Sequence, residues 1–260
     1  MKKIVIFLVL LSTVVIAQSR VEYSISLVGM SMDYKEYDNA GVLLDSEESV
    51  YSDITGVEFA YSYFLDRRSE IDLKIMSLSG TTKYVGSYLD SDDEYGSVVS
   101  TTVDDIKDIY FGYSAKNRYD QNINLLANIG LGYRYWQRAL STVQIEEYEW
   151  YSLRAGIGVE YNYQDFSIAF LGEYQYGINP TMTATGMPEE FKLDAADIIE
   201  LSIPLRYEVN SMFALSASYV FTRQEIKESN LVIGNNGKPY VEPDSTAYNQ
   251  YLKVGIIFKY

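Results

Sequence analysis

Acidic side chains are the most numerous candidates for chemistry in this chain. The sequence holds 36 aspartates and glutamates against 21 lysines and arginines, and it has no histidine and no cysteine. Without imidazole, the usual general base and the commonest transition-metal ligand are absent. Without thiols, disulfides and thiolate metal sites are excluded. The net charge of -15 argues against nucleic-acid binding. We therefore expect a non-enzymatic protein with no catalytic residue, no metal and no cofactor.

One acidic segment has a spacing close to that of a cation site. The run Asp90-Ser91-Asp92-Asp93-Glu94-Tyr95-Gly96 partly resembles a calcium loop. Its glycine stands one position late, and no glutamate occupies the closing position. Weak divalent-cation binding and a merely solvated loop are both open, and the pattern favours the solvated loop.

Charged residues elsewhere alternate with apolar ones, as they do in β-strands. In the clearest stretch, Ile123 to Tyr135, odd positions are mostly apolar and even positions are mostly polar or glycine. Ten such segments follow one another. Short connections near Asp66, Asn117, Gln164 and Ser211 alternate with long ones at Glu36–Val50, Val85–Val103, Arg138–Glu147, Pro180–Asp197 and Lys227–Ala247. This rhythm predicts an all-β fold, an antiparallel transmembrane barrel of ten strands with short periplasmic turns and long extracellular loops.

The first predicted strand changes phase. Its apolar positions are odd as far as Leu27 and become even from Val28 to Met32. Because one extra residue would shift the alternation in this way, the pattern predicts a β-bulge near Gly29.

The N-terminus has the pattern of an export signal. Two lysines precede a short apolar run that ends in small residues, so residues 1–17 are predicted to be a signal peptide and residues 18–260 the barrel domain. An even strand number places both termini on the periplasmic side of a Gram-negative outer membrane. The expected partners are outer-membrane lipid, lipopolysaccharide and the barrel assembly machinery, while the surface ligand stays open.

Aromatic residues concentrate at the two ends of the predicted strands. Such residues sit at headgroup level in membrane barrels and form two girdles. The periplasmic girdle is predicted to contain Tyr61, Tyr63, Tyr161 and Tyr163, and the outer girdle Tyr133, Tyr135, Tyr174 and Tyr176. Phe258 and Tyr260 end the last strand like the C-terminal signal that assembly machinery recognises.

Charges on the less apolar face predict a polar lumen. This set comprises Glu58, Arg134, Arg154, Glu160, Glu173, Arg206 and Glu208. Glu173 is diagonal to Arg154 in the predicted hairpin, and Gly156 and Gly158 leave room for a side chain, so a contact between the two is expected. The set fits either a salt-bridge network that fills a narrow barrel or a charged constriction in a pore, and the small strand number favours the network.

A soluble β-sandwich or lipocalin-like barrel is the alternative fold. Proteins of that kind keep the apolar face inside and have no reason to carry aromatic residues at both strand ends. The charged face predicted above needs a polar lumen instead, which favours the membrane barrel.

The hairpin around Gln164 resembles the matching hairpin of the omptins, which are ten-stranded outer-membrane aspartate/histidine proteases. The resemblance rests on Gly158 to Phe166 and on Tyr174-Gln175-Tyr176. Asp90 and Asp92 are similar in place and spacing to the omptin aspartate pair. Omptins also need a histidine in the fourth long loop, and Pro180–Asp197 has none. The resemblance implies the fold and not the peptidase activity. The expected role is structural or adhesive, with a narrow porin-like channel as the alternative and an enzyme third.

Overall fold

The computed structural model describes residues 20–38, 40–87 and 95–260, and these form a closed antiparallel barrel. The predicted signal peptide at residues 1–17 and the aspartates Asp90 and Asp92 lie outside the described residues. None of the described segments is a helix long and apolar enough to cross a membrane. The strands are β1 (Val21–Tyr37), β2 (Leu43–Glu48), β3 (Ile54–Phe64), β4 (Ser69–Gly86), β5 (Val98–Arg118), β6 (Ile123–Ala139), β7 (Ile145–Tyr163), β8 (Phe166–Ala184), β9 (Phe191–Lys192), β10 (Ala196–Glu208), β11 (Phe213–Ile226), β12 (Val232–Ile233), β13 (Pro239–Tyr240) and β14 (Asp244–Lys259).

The barrel wall has ten strand positions, as predicted. Strands β2 and β3 follow each other along one position of the wall, because both pair with β1 and with β4. Pairing of β10 with β8 closes the circle. Strands β12 and β13 pair only with each other, and β9 pairs with the end of β8. We call the end with the long connections the long-loop end and the other the short-turn end.

The predicted register of the β7–β8 hairpin is confirmed. Gln164 and Asp165 form its turn, and Tyr163 pairs with Phe166. The two-residue turn fixes the pairs that follow it as far as a register shift between Glu149 and Tyr151, so Val159 meets Phe170 and Gly156 meets Glu173. Hairpin register is set by the turn, which is why the sequence predicts it well.

The predicted bulge near Gly29 is wrong. Strand β1 pairs without a register shift with β14 and β3 over this region. Leu27 is exposed on the outer wall, whereas Val28 and Met30 are buried inside. Even positions therefore face the interior throughout. The apolar phase changes because the interior itself turns from polar to apolar towards the long-loop end.

The same inversion occurs on β7. Towards the short-turn end its inner face carries Glu160 and its outer face carries exposed Ile157; towards the long-loop end the inner face carries buried Trp150 and the outer face carries exposed Glu149. A membrane-spanning strand needs about 9–11 residues, whereas β5 has 21. The apolar outer band thus covers only part of the barrel, and the long-loop end extends beyond it. The predicted long loops were too long for this reason, because strands continue after their outward apolar pattern ends.

A packed apolar core fills the long-loop half of the barrel. Trp136 stacks on Tyr148 with ring centroids 5.1 Å apart and meets the edge of Tyr34 at 5.2 Å. Phe191 and Val232, both in long connections, pack into the same core. Interiors packed in this way leave few voids larger than a water molecule. The mouth at this end is therefore occupied by side chains.

Candidate functional site: charged layers inside the barrel

Three layers of charged side chains lie inside the barrel. The central network joins β5, β6 and β7, because inward positions on paired strands bring Asp108 opposite Arg134. Asp108 accepts two hydrogen bonds from the Arg154 guanidinium, at 3.1 and 2.9 Å, and lies 3.7 Å from Arg134. All three side chains are buried or nearly so. One carboxylate thus serves two guanidinium groups across the middle of the lumen.

The predicted contact between Arg154 and Glu173 is wrong. Arg154 donates to Ser152 at 3.0 Å and extends towards the long-loop end. Glu173 instead accepts hydrogen bonds from Asn128 at 2.7 Å and Gln175 at 3.2 Å. The diagonal placement was correct, but the inward Asp108 on β5 offered Arg154 a bidentate partner. Bidentate pairs are the stronger geometry.

The glycine that makes room for Arg154 is Gly132, and not Gly156 or Gly158. A Cβ atom on Gly132 would lie 2.3 Å from Arg154 Nε, whereas one on Gly156 would meet Asn128. Only glycine allows the guanidinium to lie this close to the β6 backbone.

The other predicted lumen charges lie inside the barrel but pair separately. Glu58 contacts Lys253 of β14 at 2.5 Å, and Glu160 contacts Lys116 at 2.9 Å. Towards the short-turn end, Arg206 bridges two carboxylates, Glu22 at 2.6 Å and Glu208 at 2.7 Å. The seven residues therefore share one lumen without forming one connected network.

Two internal spaces surround these charges. A vestibule of about 760 Å³ opens at the short-turn end and is lined by Arg206, Glu160 and Lys74. A central cavity of about 80 Å³ lies deeper, with Lys74, Arg134 and Arg154 among its lining residues. A water molecule occupies about 30 Å³ of liquid volume, so the central cavity has room for only a few. The wide space ends where the central network begins.

Replacing Asp108 with Asn should destabilise the barrel, because two buried guanidinium groups lose their shared negative partner. We expect the free energy of unfolding to fall by about 1.5–3 kcal/mol, the range for hydrogen bonds to charged groups. The measurement is a urea titration of the refolded protein in detergent micelles. Glu173→Gln is the matched control and should cost less, since Glu173 accepts only from amides. Equal losses for the two variants would contradict the assigned pairing.

The third layer was not predicted from the sequence. Arg138, at the long-loop end of β6, is 1 % exposed. It donates to Glu36 at 2.6 Å, to Glu146 at 2.9 Å, and to Glu47 at 3.0 and 2.8 Å. Asp45 lies 3.9 Å from the same guanidinium. Together with Asp104 and Glu242 we call these residues the rim cluster.

The rim cluster escaped prediction because its members fall in segments that were assigned to loops or to strand ends. Arg138 bounds one predicted loop, which contains Glu146, and Glu36 bounds another. The sequence signal that could have found the cluster is the alternation of inward and outward positions, continued beyond the apolar part of each strand. Arg138 follows Arg134 and Trp136 at even, inward positions on β6, and Glu146 has the same parity as Arg154 on β7.

Hydroxyl and indole donors satisfy much of the rim cluster. Thr82 Oγ1 donates at 2.6 Å to Glu47 and also lies 3.1 Å from Asp104. Trp136 Nε1 donates to Asp104 at 2.9 Å. The Tyr148 hydroxyl donates to Glu242. These bonds hold the carboxyl groups apart and fix their orientation.

Burial raises the pKa values of several rim carboxyls, which lie beyond the apolar outer band. The pKa of Asp104 rises to about 7 because the group is buried and faces Glu47. Burial raises the pKa of Glu146 to about 7 against the attraction of Arg138, with Glu36 adding to the rise. Burial and Glu36 raise the pKa of Asp45 well above its usual range. The cluster therefore binds protons at a pH where exposed carboxyls do not.

The rim cluster has little capacity for catalysis as it stands. Glu47 and Asp104, which both contact the Thr82 hydroxyl, are fully buried at 0 % exposure, so a substrate has no access to them. Within the described ranges, no three acidic side chains are arranged to hold a metal ion. What the arrangement can do is take up and release protons while joining β1, β2, β5, β6 and β7.

The predicted girdle tyrosines lie on the outer wall, because odd positions of β3, β6 and β7 and even positions of β8 face outward there. Tyr161 and Tyr163 stand beside the short turn of β7–β8, at 44 % and 57 % exposure. Tyr174 and Tyr176 are similarly exposed further along β8. The remaining predicted members are Tyr61, Tyr63, Tyr133 and Tyr135, which are partly covered by neighbours. Tyr133 and Tyr135 donate to Glu149 and Glu147, at 2.8 and 2.6 Å.

Comparison with known proteins gives structural but no sequence relatives. No family model and no curated protein matches the chain. Among solved structures, the outer membrane protease OmpT from Escherichia coli has a TM-score of 0.64 at 11% identity, covering 93% of this chain and 97% of that one.

Two other solved structures align at much lower TM-scores and support no argument. The toluene transporter TbuX from Ralstonia pickettii has a TM-score of 0.37 at 11% identity, covering 94% of this chain and 90% of that one. The attachment invasion locus protein Ail of Yersinia pestis has a TM-score of 0.34 at 13% identity, covering 92% and 98%. The chain thus has the ten-stranded fold of bacterial outer-membrane β-barrels and resembles the omptins in architecture, without a histidine anywhere in its sequence.

Proposed function

We propose that this chain is a non-conducting outer-membrane barrel whose long-loop end acts outside the cell in structural or adhesive contacts. One observation carries the proposal. The long-loop half is filled by an apolar core that includes Trp136, Trp150 and Phe191, and the charged rim cluster adjoins it. A barrel that is closed in this way and extends beyond its apolar band is suited to presenting a surface rather than to passing solutes.

The proposed orientation has the short-turn end in the periplasm. Aromatic residues on the outer wall suit both membrane interfaces, and the acidic long-loop end suits the cation-bridged outer leaflet. Its partners are then outer-membrane lipid and lipopolysaccharide. Phe258 pairs with Tyr23 and Phe213 at the short-turn end, so with Tyr260 it is well placed to serve as the signal for the assembly machinery.

A narrow channel for small solutes is the second candidate. The vestibule of about 760 Å³ supports it, because a solute could enter from the short-turn end as far as Lys74. Passage would then require Arg154 and Asp108 to separate and the apolar core to open. The electrical conductance of the barrel in a bilayer distinguishes the two candidates.

We also propose that the barrel is no peptidase. A well-placed general base contributes about 10²–10⁴-fold to such a reaction, and the chain has no imidazole for that role. The proposed omptin-like aspartates, Asp90 and Asp92, stand in an acidic sequence where both would stay ionised. Specific cleavage of peptides with paired basic residues, lost in an Asp90→Ala, Asp92→Ala double variant, would contradict this.

Surface adhesion tests the proposed role directly. Cells that display the protein should adhere several-fold better than cells with an empty vector. Replacing the exposed loop tips at residues 141–143, 188–190 and 235–238 with Gly and Ser should remove most of this gain. The matched control replaces the short-turn tip at residues 117–121 in the same way and should retain the gain. Equal adherence by displaying and empty cells would overturn the adhesive role.

A further inference from the structure

One long connection folds over the mouth of the barrel. Residues 227–243, which we call the capping segment, contain the small β12–β13 hairpin. Val232 of this segment is only 1 % exposed and packs into the core of the long-loop half, whereas its neighbour Leu231 is 56 % exposed. Asn230 holds the segment to the neighbouring connection through two hydrogen bonds with the Lys192 backbone, at 3.1 and 2.6 Å.

Glu242 is the residue through which the capping segment meets the rim cluster. Its side chain is buried and accepts a hydrogen bond from the Tyr148 hydroxyl of β7. Its backbone is tied to Ser229 within the same segment, with N–H donating to Oγ at 2.9 Å. No described lysine or arginine forms an ion pair with Glu242. The carboxyl group is thus buried with a hydroxyl partner and without a direct cation.

The groups that face Glu242 are mostly acidic. Arg138 is the one cation of the rim cluster, and it already donates hydrogen bonds to three glutamates at 3.0 Å or less. The titratable groups that act on Glu242 are Tyr34 and Glu36 on β1, Arg138 on β6, and Glu146 and Tyr148 on β7. Asp45 and Glu47 on β2 and Asp104 on β5 belong to the same cluster through Arg138 and Thr82. An ionised Glu242 would add a further negative charge to this set in a buried setting.

We propose that the capping segment is a lid held by a proton. Glu242 in its neutral form keeps the segment docked against Tyr148, which donates to it. Ionisation of Glu242 strengthens that hydrogen bond but adds an unpaired negative charge to a buried acidic cluster, and this repulsion releases the segment and exposes the core that Val232 covers.

The direction of the pH dependence follows from which state binds the proton more tightly. Burial, then the charges of Glu36 and Glu146, raise the pKa of docked Glu242 well above its ordinary value of 4.5. The released carboxyl returns to that ordinary value. Docking is therefore fully favoured at pH values below the ordinary carboxyl pKa. It weakens as the pH rises towards the pKa of docked Glu242. For each proton released, the docking equilibrium changes by about tenfold per pH unit.

Cysteine labelling can measure this opening, because the chain has no cysteine of its own. Val232→Cys places a thiol on the buried side of the capping segment, and Leu231→Cys places one on its exposed side. Both variants, as full-length refolded barrels, are labelled with a maleimide from about pH 5 to about pH 9. Dividing the labelling rate of Val232→Cys by that of Leu231→Cys removes the effect of thiol ionisation, which raises both rates with pH. We expect the ratio to rise with pH, by up to about tenfold per pH unit. A ratio that does not change with pH would overturn the proposal.

Three further substitutions identify the latch. Glu242→Gln, which stays neutral, should keep the ratio low at every pH. The matched control Asp244→Asn removes the charge of a half-exposed carboxylate that pairs with Lys227 at 3.2 Å, while its amide oxygen can still accept the Glu228 N–H, so it should behave like the parent. Tyr148→Phe removes the hydroxyl partner and should raise the ratio even at acidic pH. A rise with pH that persists in Glu242→Gln, or disappears in Asp244→Asn, would overturn the assignment to Glu242.

Discussion

Replacing Arg138 with Met should destabilise the protein more than any other single substitution considered for the charged layers. Arg138 is almost completely buried and, among the residues that the structure describes, is the only cation that contacts Glu36, Glu47 and Glu146. Methionine would leave these carboxylates close together and uncompensated. Breaking a buried pair by removing one partner costs about 3–5 kcal/mol, and we expect a loss of that size in the free energy of unfolding at neutral pH.

The loss should shrink at acidic pH. Burial already raises the pKa values of Glu146 and Asp104 to about 7, so the rim cluster contributes most favourably below the ordinary carboxyl range and loses stability as pH rises towards 7. Without Arg138, the pH range over which the rim carboxyls hold their protons extends to higher pH. Urea titrations in micelles at several pH values measure the difference. Arg223→Met is the matched control, because Arg223 forms only an exposed pair with Glu225 and such pairs contribute about 0–1 kcal/mol. An Arg138→Met loss no larger than the control would contradict the assigned role.

Replacing Trp136 with Ala should cost a similar amount by a different mechanism. The indole is 2 % exposed, stacks on Tyr148, and donates to Asp104 at 2.9 Å. Truncating a buried Trp to Ala typically costs about 3–5 kcal/mol, partly through the cavity that remains. Trp136→Phe keeps much of the ring and loses the N–H donor, so it should cost about 1–3 kcal/mol.

The matched control for this substitution is Tyr119→Ala, since Tyr119 is 74 % exposed in a short turn. Exposed positions of this kind usually change stability by about 0.5 kcal/mol or less. The ratio of folded to unfolded bands on unheated gels, followed through a urea series, gives the order of the three variants. A Trp136→Ala protein as stable as the Tyr119→Ala protein would mean that the long-loop half is not a packed core.

The sequence predicts the barrel wall well, because its strongest signal is local alternation. The strand number and the pairing of Tyr163 with Phe166 both follow from period-two patterns and a two-residue turn. The prediction of a bulge at Gly29 is wrong because a change in the phase of the apolar positions has two causes. An apolar phase changes either when the backbone gains a residue or when the environment inverts. Val28 and Met30 show the second cause, since both remain on the inner face.

The interior was predicted less completely, because side-chain partners depend on three or more strands at once. Hairpin register alone placed Arg154 near Glu173. The observed salt-bridge partner of Arg154 is Asp108 on β5, two strands away. The rim cluster was not predicted, since loops were expected to begin at the outer girdle and Glu36 and Arg138 were therefore assigned to loop ends. Following positional parity beyond the apolar band would have placed both inside.

The conductance of the refolded barrel in a planar bilayer tests the central claim, which is that the lumen is closed by the central network and the packed long-loop half. The account predicts no stable open level for the unmodified protein. A variant with both Trp136→Ala and Arg154→Ala should show more current, because it removes part of the packed core and part of the central network. Stable, porin-like conductance from the unmodified barrel would contradict the account and favour the channel.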